Sequence, residues 1–398
     1  MLYIFFEFIS NNLLQLKEFY IHILYNMNHP IINHICSSNG TLDNKLESFK
    51  KENRVLFKKH GNLLISKYDN CAKYGNAVER SCRGAIIDTK SNTLICPSIN
   101  GGITYQEFKN SVPFKYLALE ENIEGTLINL YFWNNRWNVS TKFNINADES
   151  RFRSLKTYRQ VFDGVFDWKN IEPKLDTNFA YSFVLSFKEN KLVTPINTTV
   201  IHHIETINRV TGEKVFIDIG VNHPKIFYVG NTQSGINNTL GSKLCEYSHL
   251  DNLLEKQDFT QRGFMLYSLD RKYRCSLINP KYQKVLDMVK NQSNMSYLGF
   301  ESIYYKKNAE ELLKYCPEHT KTFNEVESMF NSFTTKLYKL YVDKYCYNQL
   351  VTYDNKVGKV LKLVHKDYKK NRIKITYEMV KTIILMQDCP YVFCMIFK

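Results

Sequence analysis

Ten cysteines stand singly, at Cys36, Cys71, Cys82, Cys96, Cys245, Cys275, Cys316, Cys346, Cys389 and Cys394. None forms a C-x-x-C pair and none joins a Cys/His cluster with zinc spacing, and the set is too sparse for a disulfide scaffold. That usage fits a reduced, intracellular chain. His202 and His203 are adjacent, and neighbours on a strand point to opposite faces, so one metal cannot take both. What remains is charge. Lys and Arg number 53 against 39 Asp and Glu, a net +14. Such an excess suits a polyanionic partner, nucleic acid or nucleotide. A Lys- and Asn-rich composition gives the same sum with no ligand, so both readings stand open. The last 48 residues carry ten Lys/Arg against four Asp/Glu, densest in "KDYKKNRIK" with Lys366, Lys369, Lys370, Arg372 and Lys374. This is a solvated helix face or a nucleic-acid contact. One further stretch stands out: "EENIEGTLINLYFWNNRWNVSTK", Glu120 to Lys142. It reads as a strand, a tight Glu124-Gly125, a second strand, a turn and a third strand.

These residues need elements to position them. At 398 residues, 44% hydrophobic and 23% charged, the chain has core material for two or three domains. The first 26 residues are apolar and aromatic but broken by Glu7, Asn11, Asn12, Lys17 and Glu18. They are too interrupted for a membrane span, which takes about 20 residues, and they lack a basic n-region and a cleavage site. They read as an amphipathic helix or as sequence upstream of the native start at Met27. Residues 27–60 read as helical. From about 61 to 282 the pattern is short strands rich in β-branched and aromatic residues, bounded by Asn, Gly and Asp turns. "IIDTKSNTLI", "YFWNNRWNV" and "TINRVTGEKVF" read as hairpins, and "NKLVTP" as a strand. "DESRFRSLKTYRQVFDGVFDW" and "KLCEYSHLDNLLEKQ" carry helical spacing. From 283 to 398 apolar residues recur at i, i+3, i+4, which predicts a helical, basic C-terminal domain. The expected class is α+β: antiparallel sheets with flanking helices, then helices alone.

The order of these segments resembles the phage-type RNA ligases of the covalent nucleotidyltransferase superfamily, and among them the divergent branch carried by large DNA viruses. The resemblance covers roughly residues 60–330. "ERSCRGAIID" is similar to the family's Cys-Arg-Gly strand. "ENIEGTLINLYF…RWNVSTK" is similar to the nucleophile motif and the strand after it. "YSFVLSFKENKLVTP", "VTGEKV", "RGFMLYS", "CSLINPKY" and "NAEELLKYCPEHTKTFNEV" follow in the family's order.

The resemblance implies a three-step reaction: a lysine takes AMP from ATP, passes it to a 5′-phosphate, and a 3′-hydroxyl displaces it. It implies a ligase-type nucleotidyltransferase fold, ATP and magnesium as cofactors if activity is retained, and RNA as partner. Carried over position by position, the nucleophile falls at Asn122, whose amide cannot form the phosphoramidate. The carboxylates that would hold ribose and metal fall at Val184 and Arg262, and the two phosphate-binding lysines at Ser276 and Ile278. Arg83, Glu124, Gly125 and Lys142 match the family's nucleotide-binding positions. Framework residues Gly84, Asn190, Gly263, Asn279, Pro280 and Tyr282 also match. Loss of a covalent nucleophile costs several powers of ten in rate, so the expectation is a ligase-like protein without adenylyl transfer, kept for RNA or nucleotide binding or as an assembly subunit. Two alternatives stay open: an active RNA ligase using Lys115 or Lys142 as nucleophile, and a structural virion protein. Tyr131, Phe132, Trp133 and Trp137 read as hairpin packing in preference to a base-stacking platform. The expected location is the cytoplasm of a host cell or a virion, with no membrane partner.

Overall fold

A computed structural model describes residues 29–68, 76–227, 246–290, 292–306 and 309–397; the first 26 residues lie outside them. The chain divides into two compact units, with the boundary between Lys284 and Val285.

The first unit opens with two helices, α1 (Pro30–Ser37) and α2 (Leu42–Glu52). Thr41 caps α2 by accepting from the Asn44 N–H, one of the donors a helix start leaves unpaired. The helical region was expected to run to residue 60. Instead Val55–His60 forms strand β1, paired antiparallel with β2 (Leu63–Tyr68). Only Val55 of that strand is buried and its last three residues are exposed, so the sequence lacks the alternation that marks a half-buried strand. β3 (Ile86–Asp88) and β4 (Thr93–Cys96) complete this four-stranded sheet in the order β1-β2-β3-β4. Ile31, Ile35, Leu46 and Phe49 from the helices pack with Val55, Leu64 and Ile87 of the sheet.

Helix α3 (Tyr105–Ser111) leads to β5 (Leu117–Glu121), β6 (Thr126–Trp133) and β7 (Arg136–Thr141). Asn134 and Asn135, both with positive φ (51° and 56°), make the turn of the β6–β7 hairpin, where a two-residue loop of opposite-handed backbone matches the strand twist. β8 (Phe179–Ser186), β9 (Val200–Asn208) and β10 (Lys214–Val215) join these in a five-stranded sheet, order β10-β9-β8-β6-β7. β11 (Ile226–Phe227), β12 (Gly263–Ser268) and β13 (Arg274–Ile278) flank β5 in a third sheet, order β11-β5-β12-β13. Helix α4 (Tyr247–Lys256) covers this sheet, with Leu250 and Leu254 against Leu119, Phe264 and Leu277. The "NKLVTP" segment is not a strand: a short 3-10 turn, Lys188–Asn190, runs into a loop.

Helix α5 (Pro280–Val289) spans the unit boundary. The second unit is helical among its described residues: α6 (Met295–Tyr304), α7 (Ala309–Tyr315), α8 (Thr320–Tyr345), α9 (Asn355–Asn371), α10 (Tyr377–Leu385) and α11 (Cys389–Ile396). Phe300, Phe330, Leu361, Val364 and Ile384 lie in its core. The class is therefore α+β, antiparallel sheets with flanking helices and a helical C-terminal unit. No helix among the described residues is long and apolar enough to cross a membrane.

Candidate active site

The register of β5, β12 and β13 brings Asn122, Arg262, Ser276 and Ile278 close together, while Val184 lies on β8 of the five-stranded sheet. Glu120 of β5 pairs with Met265, and Met265 with Ser276 of β13. Asn122, just past β5, is 7% exposed. Its backbone N–H donates to the Gly263 carbonyl at 3.1 Å, and its side-chain amide donates to Ser276 Oγ at 2.8 Å. Two of the positions that the sequence resemblance singled out, Asn122 and Ser276, are thus hydrogen-bonded to each other. Ile278 pairs with Gly263 two residues along. Arg262 donates Nη1 to the Ile123 carbonyl at 3.1 Å, and its guanidinium lies 6.0 Å from the Tyr282 ring centre.

Glu124 is also committed. Its Oε2 accepts from the backbone N–H of Val193 at 3.0 Å, that of Thr194 at 2.9 Å and the Tyr282 hydroxyl at 2.7 Å. Oε1 accepts from the Leu192 N–H. A carboxylate with so many donors is a loop anchor. Asn190 prepares that loop by accepting from the Phe187 N–H at 2.9 Å and donating to the Leu185 carbonyl at 2.9 Å. Gly125 lets the loop close. A Cβ there would come within 2.6 Å of the Leu185 carbonyl oxygen and of Val184 Cγ1. Glu124, expected as a nucleotide contact, holds the Leu192–Thr194 segment, and Gly125 packs against Val184 and Leu185.

Asn122, Glu124 and Arg262 line a cavity of about 800 Å³ with Glu121, Lys225 and Lys256. Among the described residues no group of three or more His, Cys, Asp or Glu is arranged to hold a metal.

Arg83 and Lys142 come together within electrostatic reach of Arg262. Gly84, at φ +86°, is where the chains touch: a Cβ there would lie 3.3 Å from Lys142 Cα, an approach and a backbone that favour glycine. Lys142 donates to the Tyr68 hydroxyl at 3.3 Å, and its ammonium sits 4.5 Å from the Tyr68 ring centre. Burial lowers the Lys142 amine below the usual lysine range, and Arg83 lowers it further. Burial, with Arg274 and Arg262 nearby, lowers Arg83 to about 10, and its Nε has no hydrogen-bond partner. Burial opposes ionisation of Tyr68, but Arg83, Lys142 and Arg274 outweigh it and hold the phenol below its ordinary value. The largest influences on Arg83 and Lys142 besides burial are other cations and phenols. Clustered cations of this kind form a cradle whose charge suits an anion such as phosphate. Tyr68 was missed from sequence, since 74 residues separate it from Lys142 and no local pattern links them.

The other candidates separate. Lys115 is exposed in the short 3-10 turn just before β5, its ammonium 4.8 Å from the Tyr116 ring, seven residues before Asn122. Tyr131 is buried, and Phe132 and Trp137 meet edge-on at 5.4 Å, so they pack the hairpin. In the second unit Lys366, Lys369, Lys370, Arg372 and Lys374 are exposed along and just after α9.

No protein-family model matches the chain. A protein of Autographa californica nuclear polyhedrosis virus, described as a bifunctional polynucleotide kinase/RNA ligase, is 22% identical over 281 residues, 64% of this chain and 37% of the relative. An RNA ligase of Rhodothermus phage RM378 is 24% identical over 241 residues, 50% of this chain and 53% of the relative. The chain thus spans about a third to a half of the length of these curated relatives. Among solved structures, a protein described as an ATP-dependent DNA ligase from Aquifex aeolicus is similar with a TM-score of 0.42 at 11% identity, over 82% of this chain and 88% of that one. A Naegleria gruberi RNA ligase solved with AMP and manganese is similar with a TM-score of 0.35 at 10% identity, over 49% of this chain and 59% of that one. Across half or more of its length the chain is thus similar, at 22–24% identity, to two viral proteins described as RNA ligases.

Proposed function

We propose that this protein binds RNA or nucleotide through phosphate groups and does not transfer adenylate. The observation that carries the reading is the Asn122–Ser276 hydrogen bond. Where a ligase presents a free amine to the α-phosphate, this chain presents a buried amide, already engaged. The charge pattern supports the other half. Arg83 and Lys142 gather positive charge beside Tyr68, while Arg262 adds positive charge where a metal ligand would stand. Binding is thereby uncoupled from covalent chemistry, and the protein serves as an RNA- or nucleotide-binding module or as a subunit of a larger assembly in the cytoplasm or virion.

One observation favours a second reading. Lys142 is the amine whose environment moves it toward the neutral, nucleophilic form. An active ligase would use it to attack the α-phosphorus, with pyrophosphate leaving. The experiment is self-labelling: the purified chain, magnesium and α-labelled ATP, resolved on a denaturing gel, beside Lys142→Arg. We expect no covalent label on the wild type and measurable filter-bound ATP or 5′-phosphorylated RNA. A label that Lys142→Arg removes would establish the second reading. Neither label nor phosphate-dependent binding would leave a purely structural role, as in a virion.

A further inference from the structure

Helix α9 carries a one-signed face. Lys359, Lys362, Lys366, Lys369 and Lys370 are all exposed. At 3.6 residues per turn they fall within about 100° of arc, and the first and last are about 16 Å apart along the axis. The opposite side buries Gly358, Val360, Leu361 and Val364, so the amphipathic pattern accounts for the lysines facing solvent. It does not account for their sign. An ordinary solvated face intersperses both charges, yet the sole acid of α9, Asp367, lies off the stripe and accepts from Asn371 at 2.9 Å. Beyond the helix the positive charge continues: Arg372 turns the chain with φ 55° and is exposed, as is Lys374.

An aromatic pile borders the stripe. Tyr345, from the end of α8, stacks on His365 of α9 with ring centres 3.9 Å apart and planes 10° apart. His365 in turn faces Tyr368 at 5.9 Å and 23°. All three rings are half-buried. Lys369 and Lys344 lie close enough to add to the effect of burial in lowering the His365 imidazole. Cations and flat rings on one small surface are the two contacts that an unpaired strand uses, phosphates on lysines and bases on rings. A duplex hides its base faces and gains from the lysines alone.

We infer that this face of α9, with Tyr345, binds single-stranded RNA. The lysines hold successive phosphates and a base stacks at the edge of the Tyr345–His365–Tyr368 pile. The inference deepens the reading of RNA as partner and rests on it for the class of polymer, but not on the Arg83–Lys142 cradle.

The test uses the full chain and a fluorescent single-stranded RNA of mixed sequence, with anisotropy followed from low to moderate potassium chloride. The variants are Lys362→Glu/Lys366→Glu/Lys369→Glu, Tyr345→Leu and Arg83→Met, each with its fold checked by circular dichroism. The triple variant is expected to lose at least about tenfold in affinity. Its slope of log K against log salt flattens by about 2, since each phosphate contact in a single strand contributes about 0.7. Tyr345→Leu weakens RNA but leaves inorganic polyphosphate, which has no bases, unchanged. Arg83→Met retains the salt-dependent RNA binding. Unchanged affinity and slope in the triple variant, with loss in Arg83→Met, would overturn the inference and leave the cradle standing. Absence of RNA binding by the wild type would overturn both. Equal competition by a blunt RNA duplex, or tight binding to phosphatidylserine vesicles that RNA does not displace, would also count against it.

Discussion

Asn122 and Ser276, 154 residues apart in sequence, are joined by a 2.8 Å hydrogen bond, and Asn122 lines the cleft. The resemblance to RNA ligases would put two lysines at these positions. Here two neutral groups satisfy each other. This makes restoring the nucleophile alone ineffective. Asn122→Lys is expected to remain unlabelled by α-labelled ATP, because Val184, Arg262, Ser276 and Ile278 still lack the metal and phosphate ligands. The same change buries an ammonium beside a lone hydroxyl and should cost about 1–3 kcal/mol of stability, read as a lower melting temperature. A labelled variant would show that the rest of the site is intact.

Glu124 anchors the Leu192–Thr194 loop, and its removal strands three backbone N–H groups and the Tyr282 hydroxyl. Glu124→Ala should destabilise the first unit by about 2–4 kcal/mol. Amide hydrogen exchange is expected to speed up first at residues 192–194. Unchanged protection there would mean the anchor is dispensable.

Tyr68 reports on the cradle. Its phenol is expected to ionise below the other tyrosines, seen as an ultraviolet phenolate band absent from Tyr68→Phe. Added pyrophosphate should shift that ionisation back up by neutralising Arg83 and Lys142, and Arg83→Met should do so permanently. Ionised Tyr68 stabilises the fold. The contribution is complete above the unfolded phenol value of about 10 and is lost as pH falls through the lower folded value.

His203 gives an acid-side prediction. It is 2% exposed, and burial, reinforced by His223, lowers its imidazole to about 4. The unfolded chain takes a proton near pH 6.5 that the folded chain refuses until about 4, so stability falls as pH drops across that window, by as much as about 3 kcal/mol. His203→Gln, which can still bond Thr206 as the imidazole does at 2.8 Å, should flatten the fall in a pH series of denaturant melts. An equally steep fall in the variant would assign it to other groups.

Local elements were legible where side-chain pattern and turn chemistry agree. The Asn134-Asn135 hairpin needs left-handed backbone at both central positions, which asparagine tolerates. Helix α9 shows unbroken i, i+3, i+4 spacing. β1 was not legible, because an edge strand with one buried residue carries no period. Nor was the Leu192–Thr194 loop: its apolar residues read as a strand, and only Glu124, about seventy residues earlier, satisfies its N–H groups in another way.

By itself the sequence determined the identity of each critical side chain: an amide at Asn122, a cation at Arg262, apolar groups at Val184 and Ile278. It thus carried the expectation that adenylyl transfer is lost, since chemistry depends on the functional groups present. The tertiary structure alone decided what the remaining groups do. It turned Glu124 inward to a loop and gathered Tyr68, Arg83 and Lys142 from distant segments. The reason is physical: hydrogen-bond satisfaction and electrostatic coupling act over a few ångströms of space, and separation along the chain says little about which groups share those ångströms.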